Sequence, residues 1–297
     1  MSITEGSHLG LKTINIDSKS LRLKVIPELG FKIASIVYKP LEKEFLFQPS
    51  KGKYDLPEFG GDFSKYDTSG LDEMLPTVDA CIYPEENFKG KILPDHGDLW
   101  SLAFDTEIEA DKISGRVELK SLPLAFEKKI SFKDETTIKM EYKVINLGDK
   151  KIFYLWTLHG LNNFDDYTEL VFPKGVEEVL NVQGDEDLNQ MDLKSLSAYE
   201  DGKSYKYYFL GDIKRGQAGL RYKKERLQYT IDYDSEINPY LGVWITKGGF
   251  KGEYNCAIEP SNGFYDSLEL AYKNKKVASL EAGEEKSWTL LINIDKY

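Results

Sequence analysis

Histidine, cysteine and long apolar runs are all scarce in this sequence of 297 residues. The two cysteines, Cys81 and Cys256, are too few for a disulfide framework and fit a reducing compartment. No run reaches the roughly 18 to 20 apolar residues that a membrane-spanning helix needs. The first residues, MSITEGSHLGLKTINIDSK, have no apolar core behind a basic flank, so they do not read as a signal peptide. A cytoplasmic protein is the expectation. Cationic excess is also missing: the formal charge of -11 would repel a phosphate backbone, so nucleic acid is set aside as a partner. No GxGxxG, Walker or HExxH pattern occurs, and no nucleotide, metal or other cofactor is expected.

Tyrosine and phenylalanine are abundant, at 19 and 15, and the hydrophobic share of 41% is ample for a core rich in strands. Alternation of apolar and polar residues, which marks a half-buried strand, recurs from end to end. Leu21, Leu23 and Val25 alternate with Arg22 and Lys24. Phe126, Ile130 and Phe132 share one face, on which Lys128 is the misfit. Ile138, Met140, Tyr142 and Val144 oppose lysines and Glu141, and the intervening Asp134-Glu135 turn makes the two segments an antiparallel hairpin. Leu227 to Tyr233 and Trp288 to Ile294 repeat the pattern. Helical periodicity is sparse, with a turn or two expected at 176–182 and 187–199. No linker or repeat divides the chain, so residues 1–297 read as one all-β domain. The stretch from about 50 to 100 shows little alternation and is too long for an idle connector.

Seven residues are candidates for chemistry, each against an ordinary alternative. His96 follows Pro94-Asp95, where a plain turn histidine is the bland reading. His159 shares a strand face with Leu155 and Thr157, and an imidazole there serves as a general acid or simply as a satisfied surface histidine. Glu259 shares a face with Ala257 just before Pro260, which is expected to end the strand; partial burial would make it a better base. Trp244 could stack on a pyranose or sit in the core, and Asp72, Glu73 and Asp98 could bind hydroxyls or be solvated. His8, in the polar N-terminal stretch, reads as ordinary.

Six segments resemble the aldose 1-epimerase (galactose mutarotase) family, and especially its divergent mutarotase-like branch. They are Leu23-Lys24-Val25-Ile26-Pro27-Glu28-Leu29-Gly30 with Ile33-Ala34-Ser35-Ile36; Gly70-Leu71-Asp72-Glu73-Met74-Leu75-Pro76-Thr77; Asp95-His96-Gly97-Asp98-Leu99-Trp100; Trp156-Thr157-Leu158-His159; Ile258-Glu259-Pro260; and Leu280-Glu281-Ala282-Gly283-Glu284 with Trp288. Their order matches the family's. The resemblance implies a large antiparallel β-sandwich, the galactose mutarotase-like supersandwich, with a concave face that holds a monosaccharide. It implies an isomerase that interconverts α and β anomers with Glu259 as general base, His159 as general acid and His96 holding the sugar. Two departures stand out. The family's sugar-binding arginine has no counterpart between Arg22 and Arg116, where only Lys89 or Lys91 could substitute, and its substrate-binding aspartate has no clear match among Asp212, Asp232 and Asp234. The competing readings are a non-catalytic sugar-binding protein on the same fold, a glycoside hydrolase pairing Glu259 with Asp72, Glu73 or Asp98, and a metal site of His96, His159 and Glu259.

Overall fold

A computed structural model describes residues 1–184 and 186–297. The expected hairpin is present: Leu124–Phe132 pairs antiparallel with Thr137–Asn146, Phe132 facing Ile138. Its turn closes because Asp134 accepts a hydrogen bond from the Thr136 backbone N–H at 3.0 Å. The hairpin belongs to an eight-stranded sheet that runs Thr168–Val171, Gly216–Tyr222, Leu227–Tyr233, Glu285–Lys296, Thr137–Asn146, Leu124–Phe132, Lys112–Glu118, Asp105–Ile108. An eleven-stranded sheet packs over it. From one edge its order is Ser2–His8, Leu11–Asp17, Leu21–Ile26, Lys32–Tyr38, Leu71–Met74, Thr157–Asn162, Tyr254–Ser261, Tyr240–Lys247, Ser204–Phe209, Val179–Asn181, with Lys43–Glu44 beside Lys32–Tyr38.

The inner faces of both sheets merge in one apolar core. Trp156 of the segment leading into the larger sheet meets Trp288 of the smaller one edge-on, ring centres 4.9 Å apart, and Phe45 meets Tyr222 at 5.3 Å. Each such side chain contributes on the order of 1.5–3 kcal/mol by leaving water. Lys128, the misfit of its strand, lies in this core with no solvent exposure, and its ammonium is 2.7 Å from Oε1 of Glu73 on the opposite sheet. Tyr142 donates to the same oxygen at 2.9 Å. An apolar face accepts the lysine because its counter-charge is buried with it.

Three local expectations are corrected. Leu71–Met74 is a central strand of the larger sheet and not loop; all four residues are buried, and with strands on both sides the charged pair Asp72-Glu73 is held by internal partners, which erases the polar-out alternation. Residues 176–182 contain the short strand Val179–Asn181 in place of a helical turn, whereas 187–199 hold two turns as expected, the 3₁₀ turns Leu188–Gln190 and Leu196–Ala198. The α-helix among the described residues is Leu268–Lys273, started by Ser267, whose side chain accepts from the Leu270 N–H. Pro260 does not end its strand, which continues to Ser261. The ladder to Thr157–Asn162 is formed at Thr157, Leu161 and Asn162 and not opposite the proline, so its missing N–H goes unneeded there. Among the described residues no helix is long and apolar enough to cross a membrane.

Candidate functional site

Five strands at the centre of the larger sheet set the site by register alone. Directly opposed residues of antiparallel neighbours project from the same face. His159 opposes Asp72 on one side. The register that pairs Thr157 with Ser261 and Leu161 with Ala257 puts Glu259 opposite His159 on the other. Glu259 opposes Gly242, and Gly242 opposes Tyr208. Two residues along, a second row on the same face holds Leu161, Ala257, Trp244 and Lys206. This face points away from the core, because the alternate residues Leu158, Ile258, Val243 and Tyr207 are in it. Gly242 provides space: a Cβ there would come within 3.0 Å of Glu259 Oε2 and 3.1 Å of the Tyr208 ring.

Over these rows lies a cavity of about 290 Å³, lined by His96, His159, Lys206, Trp244, Glu259 and Asp266, with Phe63 closing one side. Its size is that of a small-molecule site, where an apolar wall and a few converging polar groups fix a ligand. His96 reaches it from the loop after Pro94. Its backbone is left-handed at φ 58° and the next residue, Gly97, at φ 69°. The His96 ring stacks on Phe63 with centres 3.8 Å apart and planes 7° from parallel, and stands 5.4 Å from the His159 ring, nearly perpendicular to it. Asp95 Oδ1 lies 2.9 Å from its Nδ1.

Behind His159 is a buried chain of charge. Its Nδ1 is 2.9 Å from Asp72 Oδ1, and Lys32, 1% exposed, lies 3.3 Å from Asp72 Oδ2 and 2.7 Å from Asp67. Burial raises the Asp72 pKa, but Lys32 and the histidine outweigh it and hold the carboxyl at about 2. An ionised carboxylate only accepts hydrogen bonds, so Nδ1 carries the proton and Nε2 faces the cavity. Burial would strip the Lys32 proton, yet Asp67 and Asp72 more than reverse this and raise its pKa.

Glu259, 1% exposed, is held on the other side of His159 by an ion pair from Lys206 to its Oε2. Lys206 is also 3.5 Å from Asp266 Oδ1, which accepts a 2.6 Å hydrogen bond from the Tyr208 hydroxyl. Burial lowers the Lys206 pKa, but Asp266 and Glu259 together leave it raised. No group among the described residues donates to Glu259 Oε1, which leaves that oxygen for a ligand.

The structure therefore brings His96, His159, Glu259 and Trp244 to one cavity and puts Asp72 directly behind His159. Two candidates lie elsewhere. Glu73 alternates with Asp72 and so faces the core opposite Leu158, where burial raises its pKa against the pull of Lys128. Asp98 has no exposure; its Oδ2 accepts the backbone N–H groups of Lys120 and Ser121 at 2.7 and 2.8 Å, which ties a loop to its neighbour. Lys89 pairs with Glu86 on the surface and Lys91 is exposed, so neither replaces an arginine in the cavity. Asp232 binds Gln217 and Asn293 in the smaller sheet. Lys206, Asp79 and Asp266 escaped the sequence reading, although Lys206 is the one charged residue of an aromatic strand, Ser204–Phe209. Among the described residues no group of three or more His, Cys, Asp or Glu is arranged to hold a metal ion.

No protein-family model matches the chain, and no curated protein matches it in sequence. Solved structures do match in fold. A galactose mutarotase-like protein from Clostridium acetobutylicum superposes with a TM-score of 0.72 at 15% identity, covering 99% of this chain and 98% of that one. A galactose mutarotase-like protein from Lactobacillus casei gives 0.69 at 16% identity, covering 95% of this chain and 100% of the other. A galactose mutarotase related enzyme from Lactobacillus acidophilus gives 0.70 at 17% identity, covering 96% and 97%. The chain thus has the galactose mutarotase-like antiparallel β-sandwich fold, with the cavity on the outer face of its larger sheet.

Proposed function

We propose that the chain interconverts the α and β anomers of a monosaccharide by general acid/base catalysis in the cavity on the larger sheet. The observation that carries this reading is the placement of a carboxylate with one free oxygen beside an imidazole with one free nitrogen, each fixed from behind by a buried ion pair. In the reaction Glu259 Oε1 takes the proton of the C1 hydroxyl while His159, entering as the imidazolium with a second proton on Nε2, gives that proton to the ring oxygen and is left as the Nδ1–H imidazole. The C1–O ring bond breaks, C1 becomes an aldehyde and turns about the C1–C2 bond. Ring closure on the other face of the carbonyl reverses both transfers, so no net proton is consumed. His96, stacked on Phe63, holds sugar hydroxyls, and Trp244 covers the apolar face of the ring.

Hydrolysis of a glycoside fits less well. Of the three carboxylates considered as partner to Glu259, Glu73 and Asp98 are outside the cavity and both oxygens of Asp72 are engaged. The test is polarimetry of freshly dissolved α-galactose and α-glucose. The native protein is expected to speed the approach to equilibrium rotation, and Glu259→Gln and His159→Asn to lose ~10²- to 10⁴-fold each in turnover while staying folded. A folded Glu259→Gln variant with native rate would remove the mechanism. Sugar binding without acceleration would make the protein a binding module.

A further inference from the structure

The resemblance leaves open whether the sugar is plain, phosphorylated, oxidised or aminated, and the charges around the cavity bear on this. Four carboxylates line it: Asp79, Glu253, Glu259 and Asp266. Among the described residues one ammonium lines it, Lys206, and that cation is spent on two of those carboxylates, Glu259 and Asp266. Behind the imidazole wall Lys32 is likewise spent between Asp67 and Asp72, so that trio carries a net negative charge as well. Among the described residues no arginine lines the cavity. Glu253 is satisfied by the hydroxyls of Ser50 and Thr68, at 3.0 and 2.9 Å, and Lys251 is 3.7 Å from it. Asp79 differs from the rest. It is exposed at the mouth, and no side chain among the described residues pairs with its carboxylate. Its pKa is raised by burial of part of the side chain and by Asp266.

We infer that the cavity takes aldoses that carry no negative charge, uncharged or ammonium-bearing, and rejects sugar phosphates and uronates by like-charge repulsion. The inference rests on the cavity being the sugar site proposed above. A phosphate or carboxylate needs a cation with free donors, and both lysines here are committed. Bringing an anion in would set it against unpaired Asp79 and against clusters whose net charge is negative, and discrimination of this kind comes from the repulsive element. At separations of roughly 6 Å and an effective dielectric of about 20, one uncompensated like charge weakens binding on the order of 10- to 100-fold. An ammonium sugar gains from the same field.

The experiment compares galactose, galactosamine, galactose 6-phosphate and galacturonate at low salt, with the full-length protein. Affinity is read by calorimetry and anomer exchange by NMR. Galactose and galactosamine are expected to bind and exchange, with the two anionic sugars at least tenfold weaker. Asp79→Asn is expected to narrow the gap between galactose and galacturonate severalfold, as is 0.5 M salt, in which screening reaches only about 4 Å. Anionic sugars that bind as well as galactose or better, with exchange, would overturn this inference and leave the proposed activity standing. Discrimination in binding with no exchange of any sugar would keep the inference and sink the activity. If none of the four binds, both fall.

Discussion

Replacing Asp72 by Asn removes one charge from behind His159 and changes little else in shape. In the native protein the carboxylate lies 2.9 Å from Nδ1 and is ionised, with its pKa at about 2. As a pure acceptor it fixes the proton on Nδ1 and the orientation of the ring, and a hydrogen bond to a charged group of this kind is worth about 1.5–3 kcal/mol. Lys32, 3.3 Å from the other oxygen, holds the native carboxylate in place, and a loss of ~1–3 kcal/mol is expected. The consequence is a fall in turnover on the order of 10- to 100-fold, with KM changed less, since the ring that hands over the proton is no longer held in one tautomer and orientation. The amide can also present its NH₂ to Nδ1, which would leave Nε2 protonated but uncharged and a poorer acid. The assay is anomer exchange of galactose by NMR between pH 5 and 9. Folding should be checked by urea denaturation and is expected to hold, because Lys32 keeps Asp67 as a partner at 2.7 Å. A folded Asp72→Asn protein with native turnover would refute the reasoning.

Lys128→Met should destabilise by ~3–5 kcal/mol because it leaves Glu73 charged and buried, and the double change with Glu73→Gln should recover much of that in denaturant midpoints. Gly97→Ala should displace the His96 loop: at φ 69° an added Cβ would lie 2.2 Å from the Leu75 carbonyl oxygen, so sugar affinity should fall together with stability. Asp72 is held at about 2 against an ordinary 3.8, so it contributes about 2 kcal/mol that is fully present above pH ~4 and lost as pH falls through ~2. Glu73 and Asp98 are raised by burial and act with the opposite sign, their cost easing as pH falls through their folded values. Urea titrations from pH 2 to 6 should therefore show a steeper acid loss for the native protein than for Asp72→Asn.

Strand content was legible because period-two alternation is a local property. The hairpin Leu124–Phe132 with Thr137–Asn146 could be read to its turn, and even its misfit, Lys128, was visible as an anomaly whose partner was not. That partner is Glu73, far away in sequence on the opposite sheet, and nothing local announces it. The same limit hid the strand Leu71–Met74. Alternation fails where charged residues are satisfied inside the fold, so the reading of a loop put Asp72 and Glu73 together when period two sends them to opposite faces. His159 and Glu259 could be assigned to outward faces from their own strands, but their adjacency depends on pairing between segments about a hundred residues apart. Lys206 was missed because a lysine between tyrosines reads as a solvated strand position, while here Glu259 and Asp266 draw it into the sheet surface.

The central claim concerns where a pyranose sits against two side chains. A crystal structure of the Glu259→Gln variant soaked with galactose tests it most directly. The account predicts the sugar in the cavity, its C1 hydroxyl within hydrogen-bond distance of the residue 259 side chain and its ring oxygen within reach of His159 Nε2, with Trp244 against the ring face. A sugar bound in this cavity with C1 turned away from both residues, or bound elsewhere on the molecule, would contradict it.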